Sequence, residues 1–412
     1  MKRRNIFLLL SFLLAFGIYF LFYHQDKKLK YIPKNADVVV LVDVKKLGRQ
    51  YIGTFATHPS QWFSHFKKDE ESTSIKNSGI VIPDFVQIFH LKNASYSAWN
   101  TVLELNDKTK FLAFLKEKKF IKNGKNLYQN QQIFLKIEGD KCWISTSEST
   151  VQNLQNLFLQ QENSNIFNAD RFISNSVASV SYIYDDDIAR FSIDIIDDAI
   201  EIKNTESIEK FAALLGNLKK KNHFLDLELD QKNITNLAKI LNKEEIHSTE
   251  INAAKAIVEI EQVNDTIITY RYDDDFNEIE EKSVQKILQP NYSIAMKSLQ
   301  PEKTWEYFIK KNWINTQNQF TLIPFQPNYI SQKNKEIIVK SLRNPVPIQG
   351  KINENYIFLR NNASLFSSIK SLSAIEQKVI SEIDYVFFGN QSKDYYLKIK
   401  LKKEKLPFIL RL

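Results

Sequence analysis

Ile6-Phe7-Leu8-Leu9-Leu10-Ser11-Phe12-Leu13-Leu14-Ala15-Phe16-Gly17-Ile18-Tyr19-Phe20-Leu21-Phe22-Tyr23, set directly behind Lys2-Arg3-Arg4, is the stretch on which the reading of this 412-residue chain turns. As a helix it would extend about 27 Å, close to the hydrocarbon thickness of a bilayer, and only Ser11, Gly17 and Tyr19 interrupt its aliphatic and aromatic run. The segment therefore reads as an uncleaved transmembrane anchor. A cleaved signal peptide is the competing reading, since Ala15-Phe16-Gly17 offers small residues at the right spacing. Apolarity continues through Tyr23, however, where a cleavage site is normally followed by polar chain. A lipoprotein is excluded, because the single cysteine, Cys142, lies far from the N-terminus.

Lys27, Lys28 and Lys30 nearly balance Lys2, Arg3 and Arg4, so the charge rule alone does not orient the span. Long trailing domains translocate largely regardless of charge. The expectation is thus a single-pass inner-membrane protein with its N-terminus inside and an extracytoplasmic body. Residues 1–30 form the tip, anchor and stalk, 31–203 a first α+β unit and 204–412 a second. The fold class expected is α+β: a transmembrane helix followed by two pseudo-repeated units of antiparallel sheet with packed helices.

The elements behind that expectation are local. Val38 to Val44 is a β-branched strand running into a helix from Lys45. Phe85 to Leu91 and Tyr96 to Leu105 read as a hairpin, followed by a helix over Lys108 to Phe120 that Asn106 or Asp107 can cap. Gln131 to Ile137 and Lys141 to Thr146 turn at Gly139-Asp140, ahead of a helix at Thr150 to Leu159. A hairpin of Val177 to Tyr184 with Phe191 to Ile196 follows. In the second half, Tyr292 to Leu299 leads into a helix over Glu302 to Trp313 as Thr101 to Leu105 leads into Lys108 to Phe120. Asn353 to Leu359 with a helix at Ala363 to Leu372 parallels Gly139 to Ile144 with Thr150 to Leu159. Each is followed by a hairpin, Ile383 to Phe388 with Tyr395 to Leu401 in the later case. This shared order suggests an internal duplication.

The basic N-terminus, the single span, the polar stalk and the opening Ile32-Pro33-Lys34-Asn35-Ala36-Asp37, followed by Val38-Val39-Val40-Leu41-Val42-Asp43 and a helix, resemble uncharacterised membrane-anchored domain-of-unknown-function families of Gram-negative bacteria. The resemblance covers about the first 50 residues. It implies a single-pass, periplasm-facing α+β protein, often built of internal repeats, with no functional residues to carry over.

Composition narrows the function classes. Nine glycines in 412 residues argue against sites that cradle phosphate on glycine turns, and neither Gly-x-Gly-x-x-Gly nor Gly-x-x-x-x-Gly-Lys occurs. The net charge of +8 arises from 56 basic and 48 acidic residues interspersed along the chain, a mixed surface with no nucleic-acid motif. No nucleic-acid partner is expected. Lysines at 398, 400 and 402 alternate with Leu397, Ile399 and Leu401, as on a strand with one wet face.

Candidate chemistry is weak throughout. His24, His58, His65, His90, His223 and His247 include no pair at metal-binding helical spacing. Ser283-x-x-Lys286 and Ser367-x-x-Lys370 match a serine-enzyme motif without its companion motifs. Asp273-Asp274-Asp275-Phe276-Asn277-Glu278-Ile279-Glu280-Glu281 offers oxygen donors at alternate positions, yet Glu278 stands where a calcium loop needs glycine and Val284 where it needs glutamate. Asp185-Asp186-Asp187, Asp194, Asp197 and Asp198 read as solvated turns, Cys142 as a small buried hydrophobe, and Trp62, Phe63 and Phe66 as a helix face packed on the sheet. No catalytic, metal or cofactor residue is assigned, and no cofactor is expected.

Three functions are consistent with this sequence. The first is a non-enzymatic membrane-tethered envelope protein whose body binds a protein or cell-envelope partner. The others are a tethered carrier or sensor of an apolar ligand, which needs an apolar cavity, and a hydrolase assembled from distant residues.

Overall fold

Val38-Val39-Val40-Leu41-Val42 forms the interior of a central strand, as β-branched side chains on a pleated surface favour. The computed structural model in which it sits describes residues 16–17, 19–20, 22–62, 77–159, 167–185, 187–205, 208–240, 250–272, 276–323, 328–343, 345–348, 354–362, 374–404 and 406–411. The expected α+β class gives way to a mostly antiparallel β architecture, with 46% of the described residues in strands and 25% in helices. The chain divides into two compact units, residues 1–204 with 403–412, and residues 205–402.

In the first unit the elements run β1 (Lys28–Leu29), β2 (Ala36–Asp43), α1 (Val44–Ala56), β3 (Phe85–Leu91), β4 (Trp99–Glu104), α2 (Lys108–Glu117), β5 (Ile121–Lys122) and β6 (Leu127–Asn130). They continue through β7 (Ile133–Glu138), β8 (Lys141–Ser145), α3 (Glu148–Leu159), β9 (Phe167–Asn168), β10 (Ala178–Tyr184), β11 (Asp187–Ile196) and β12 (Ala199–Lys203). Antiparallel ladders join them in the order β12-β11-β10-β2-β3-β4-β8-β7-β6-β5, while β1 pairs separately with β9. Alternate residues of the strands feed two cores. On one face Phe89, Val102 and Trp143 meet Val151 and Leu154 of α3. On the other, Leu135, Ile137 and Cys142 meet Phe111 and Leu115 of α2.

The second unit contains α4 (Glu209–Lys219), β13 (Leu225–Asp230), α5 (Gln231–Ile240), β14 (Ile251–Tyr272), β15 (Glu278–Ser298), α6 (Pro301–Lys310), β16 (Asn328–Lys333) and β17 (Glu336–Ser341). It ends with β18 (Asn355–Arg360), α7 (Ala374–Glu382), β19 (Ile383–Gln391) and β20 (Asp394–Leu401). Its ladder order is β20-β19-β18-β13-β14-β15-β17-β16, all antiparallel. Phe211, Leu215 and Leu218 of α4 pack on Tyr356, Phe358, Tyr385 and Phe387. Phe308 of α6 packs on Tyr292, Ile330 and Val339.

Rank by rank, β12-β11-β10-β2-β3-β4-β8-β7 of the first unit corresponds to β20-β19-β18-β13-β14-β15-β17-β16 of the second. The strand-to-helix corner is also made alike: Asp43 ends β2 and its carboxylate accepts from Lys46 N at 2.7 Å, while Asp230 ends β13 and accepts from Asn233 N at 2.9 Å. This ranking corrects one sequence parallel. β18 lies beside β13 as β10 lies beside β2, so the strand Asn355–Arg360 does not correspond to Lys141–Ser145, and β19–β20 ranks with β11–β12 rather than with β10–β11; Asn353 and the helix expected over Ala363 to Leu372 lie outside the described residues.

The transmembrane expectation, with the inner-membrane localisation that depended on it, is corrected. Among the described residues no helix is long and apolar enough to cross a membrane. Of the segment from Ile6 to Tyr23, residues 6–15, 18 and 21 lie outside the described residues; Phe16, Gly17, Tyr19, Phe20 and Phe22 are helical. Its end is fastened to α1. Arg49 donates to the Phe22 carbonyl with its guanidinium 4.7 Å from the Tyr23 ring centroid, and Lys45 donates to the His24 carbonyl.

Candidate functional site

β14 and β15 are far longer than the strands beside them. Their mutual ladder runs without a break from Ala253↔Lys297 to Tyr272↔Glu278. β13 flanks β14 only from Ala253 to Val258, and β17 flanks β15 only from Ser293 to Lys297. Among the described residues, Glu259–Tyr272 and Glu278–Asn291 therefore pair with each other alone, a two-stranded ribbon about 45 Å long at 3.4 Å per residue. Pro290 stands where β15 leaves β17, a position with no third strand to receive the N–H that proline lacks.

Residues opposite one another in an antiparallel ladder share a face. One face carries the rows of Leu288, Val284, Ile268, Tyr270 and Tyr272, all exposed; Val284, Tyr270 and Tyr272 show 69%, 61% and 66% of their surface to solvent. This stripe prolongs the row of Val258 and Tyr292, which belongs to the core under α6. The row of even-numbered residues that lines the core thus continues outward beyond α6. On the opposite face, Val263 and Ile287 form a half-buried cross-strand pair among Glu259, Glu261, Asp265, Glu281 and Arg271. A two-stranded ribbon is marginal in water by itself, and exposed apolar side chains gathered on one of its faces mark a contact surface.

A second constellation lies at the foot of the ribbon. β13 turns Asp226, Glu228 and Asp230 to one face and Leu225, Leu227 and Leu229 to the other. Asp226 is 1% exposed; it accepts from Tyr356 Oη at 2.8 Å and lies 2.8 Å from His223 Nδ1 and 3.4 Å from Lys221 Nζ. Glu228 pairs with Lys255 Nζ at 3.2 Å and accepts from Glu354 N at 2.8 Å. Burial, followed by the adjacent Asp226 charge and hydrogen bond, raises the Tyr356 hydroxyl well above the ordinary tyrosine range. Tyr356 is consequently a fixed donor at neutral pH. Each of these carboxylates has partners inside the unit, and the node locks β13 to β14 and β18.

In the first unit, His90 is buried, with Nδ1 2.7 Å from Asp37 Oδ1 and Nε2 2.9 Å from the Ser95 carbonyl, between the rings of Tyr96 and Trp99. A cavity of about 160 Å³ in the same unit is lined by Asp26, Lys28, Lys30, Tyr31, Asp84 and Glu104 among others. Lys45 pairs with Asp84 at 3.0 Å, and Tyr31 donates to Glu104 at 2.5 Å. Burial, and after it that bond to Glu104, raises the Tyr31 hydroxyl above its usual range. Lys30 stands 3.8 Å from Glu104, so basic and acidic groups are paired across this opening.

The sequence candidates do not converge. Ser283 and Lys286 lie three residues apart on β15 and so face opposite sides of the ribbon, while Ser367 and Lys370 lie outside the described residues. Among the described residues no group of three His, Cys, Asp or Glu could hold a metal ion. Asp273 to Asp275 lie outside the described residues; Phe276 beyond them is 85% exposed, and Glu278, Glu280 and Glu281 are ribbon residues. Asp185 takes φ +53° in the β10–β11 turn, Asp186 lies outside the described residues, and Asp187 and Asp194 are on β11. Asp197 takes φ +50° in the turn to β12. Asp198 is no solvated turn residue: it is 9% exposed and pairs with Arg411 at 3.0 Å.

His65, His247, Phe63 and Phe66 lie outside the described residues. His24, His58, His90 and His223 occupy separate places, His58 against the Thr54 carbonyl at 2.7 Å. Trp62 follows a 3-10 turn and donates to the Phe55 carbonyl at 3.0 Å. Cys142 is wholly buried, and burial pushes its thiol up to about 12. No protein-family model, no curated protein and no solved structure matches this chain.

Proposed function

We propose that this protein is a non-catalytic binding module that presents the β14–β15 ribbon to a protein partner. The observation that carries this reading is the apolar stripe of Leu288, Val284, Ile268, Tyr270 and Tyr272 on a ribbon that no third strand flanks among the described residues. Tyrosine supplies large, rigid contact area with a polar rim, the chemistry of protein contact surfaces. The titratable nodes around Asp226 and His90 have their partners within their own units, which supports a structural part for them. A carrier of an apolar ligand calls for an apolar pocket, and the 160 Å³ cavity with its paired charges lends that reading no support.

The test is site-specific photo-cross-linking in cells producing the full chain, with the reactive amino acid at Tyr270 or Tyr272 and, as a control, at Ile133 in the first unit. Ultraviolet-dependent protein adducts are expected from the two ribbon positions and not from the control. Silence at both ribbon positions, with adducts at Ile133, would refute the assignment.

A further inference from the structure

Resting on that reading of the ribbon, we infer that its partner is the same ribbon of a second copy of this chain, the two packed face to face and antiparallel through the stripe of Leu288, Val284, Ile268, Tyr270 and Tyr272. The charge pattern on that face points to this occupant. From the base outward its charged rows are Lys286, Lys282, Glu280 and Glu278, so the inner half is basic and the outer half acidic. An antiparallel two-fold overlay sets the inner half of one ribbon against the outer half of the other, lysine facing glutamate, with apolar rows from both copies between them. A parallel overlay would bring the basic halves of the two ribbons together, and the acidic halves likewise. The opposite face carries four carboxylates against Arg271 and repels a second copy of itself.

Lys282 now pairs with Glu280 of its own strand at 2.9 Å, both largely exposed, and such a surface pair exchanges partners at little cost. The area sets the strength. A face about 45 Å by 10 Å buries on the order of 900 Å² in all, below the usual size of a stable interface. Interfaces of this size are typically weak and reversible, so association is sought between about 1 and 100 µM chain.

Sedimentation velocity of the full chain across that concentration range reads the proposal. A reversible monomer–dimer equilibrium is expected. Ile268→Lys with Tyr270→Lys should abolish the dimer while leaving the circular dichroism spectrum and melting curve of the dilute protein unchanged, because both side chains are exposed. Lys282→Glu with Lys286→Glu should weaken the dimer at least tenfold, and adding Glu278→Lys with Glu280→Lys should restore it, since the swapped face is again complementary. A chain that stays monomeric throughout overturns the inference; cross-links from Tyr270 to a different protein would then leave the binding-module reading standing. Dimers that survive Ile268→Lys with Tyr270→Lys, whether through the ribbon edges or another surface, overturn the face-to-face packing. Failure of the four-residue swap to restore the dimer overturns its antiparallel sense.

Discussion

Gly389 on β19 leaves the space that the Phe211 ring of α4 fills: a Cβ built on Gly389 would stand 2.6 Å from Phe211 Cδ1. The requirement is steric and not conformational, because Gly389 has no left-handed φ. Gly389→Ala should therefore destabilise the second unit by about 1–3 kcal/mol through overpacking of the Phe211, Tyr356 and Phe387 cluster. Phe211→Leu also destabilises, yet the double variant should be more stable than the sum of the two losses predicts, which urea unfolding of all four proteins measures. Strict additivity would mean that the two residues do not meet.

Asp226 joins residues from two strands and the preceding loop, so its charge and its donors depend on one another. Asp226→Ala removes the acceptor of Tyr356 and the partner of His223 and should cost about 3–5 kcal/mol. Tyr356→Phe removes one donor and keeps the ring in its aromatic cluster, so a loss of about 1–2 kcal/mol is expected. Equal losses for the two variants, read from denaturant midpoints, would refute a carboxylate-centred node.

Raised tyrosines give stability a defined pH dependence. The hydroxyls of Tyr31, Tyr182, Tyr292 and Tyr356 all lie above the ordinary value of 10.0, in each case chiefly through burial. Below pH 10 both folded and unfolded chains hold these protons, and the contribution is fully present. Above it the unfolded chain releases them first, binds fewer protons than the folded chain, and is favoured. Stability should fall as pH rises beyond about 10, and Tyr31→Phe with Tyr356→Phe should flatten that fall. An unchanged alkaline slope in the double variant would remove these two hydroxyls as its source.

What the sequence discloses is what is local. Val38 to Val44 predicts β2, and Gly139-Asp140 predicts the β7–β8 turn, where Gly139 takes φ +59°. Asp107 caps α2 by accepting from Lys110 N. The Asp226–Tyr356 bond joins residues 130 positions apart, and no spacing rule reaches that far. The ribbon escapes for a different reason. Among the described residues no helix packs on the ribbon, and apolar residues fall on both of its faces, with Val263 and Ile267 at odd positions and Ile268 and Tyr270 at even ones, so the period-two signature of a half-buried strand is blurred. Its acidic turn region then draws attention as a cation loop, although its placement between two strands of matching length is the informative feature.

Cys142 provides an internal reporter of the first unit. Its side chain is closed off between β8 and α2 and its thiol is pushed up to about 12, so the nucleophilic thiolate is scarce at neutral pH. Alkylation by iodoacetamide at pH 7.5 should proceed only through opening of that core, with a rate that rises on adding urea. Rapid stoichiometric labelling of the native chain would show that the core around Phe111 and Ile137 opens readily.

Excision of the ribbon separates what it does for folding from what it does for binding. Replacing residues 262–288 by Asn-Gly joins Glu261 to Gln289 through a favoured hairpin turn and removes side chains that are mostly exposed. Little buried area is lost, so the urea m-value and the dilute-solution melting temperature should stay close to those of the full chain. Association changes this at high concentration. Binding between folded copies adds stability by mass action, so the melting temperature of the full chain should climb with protein concentration while that of the excised chain stays level. A large drop in melting temperature at low concentration would instead make the ribbon part of the core, and its exposed tyrosines would then need a structural explanation.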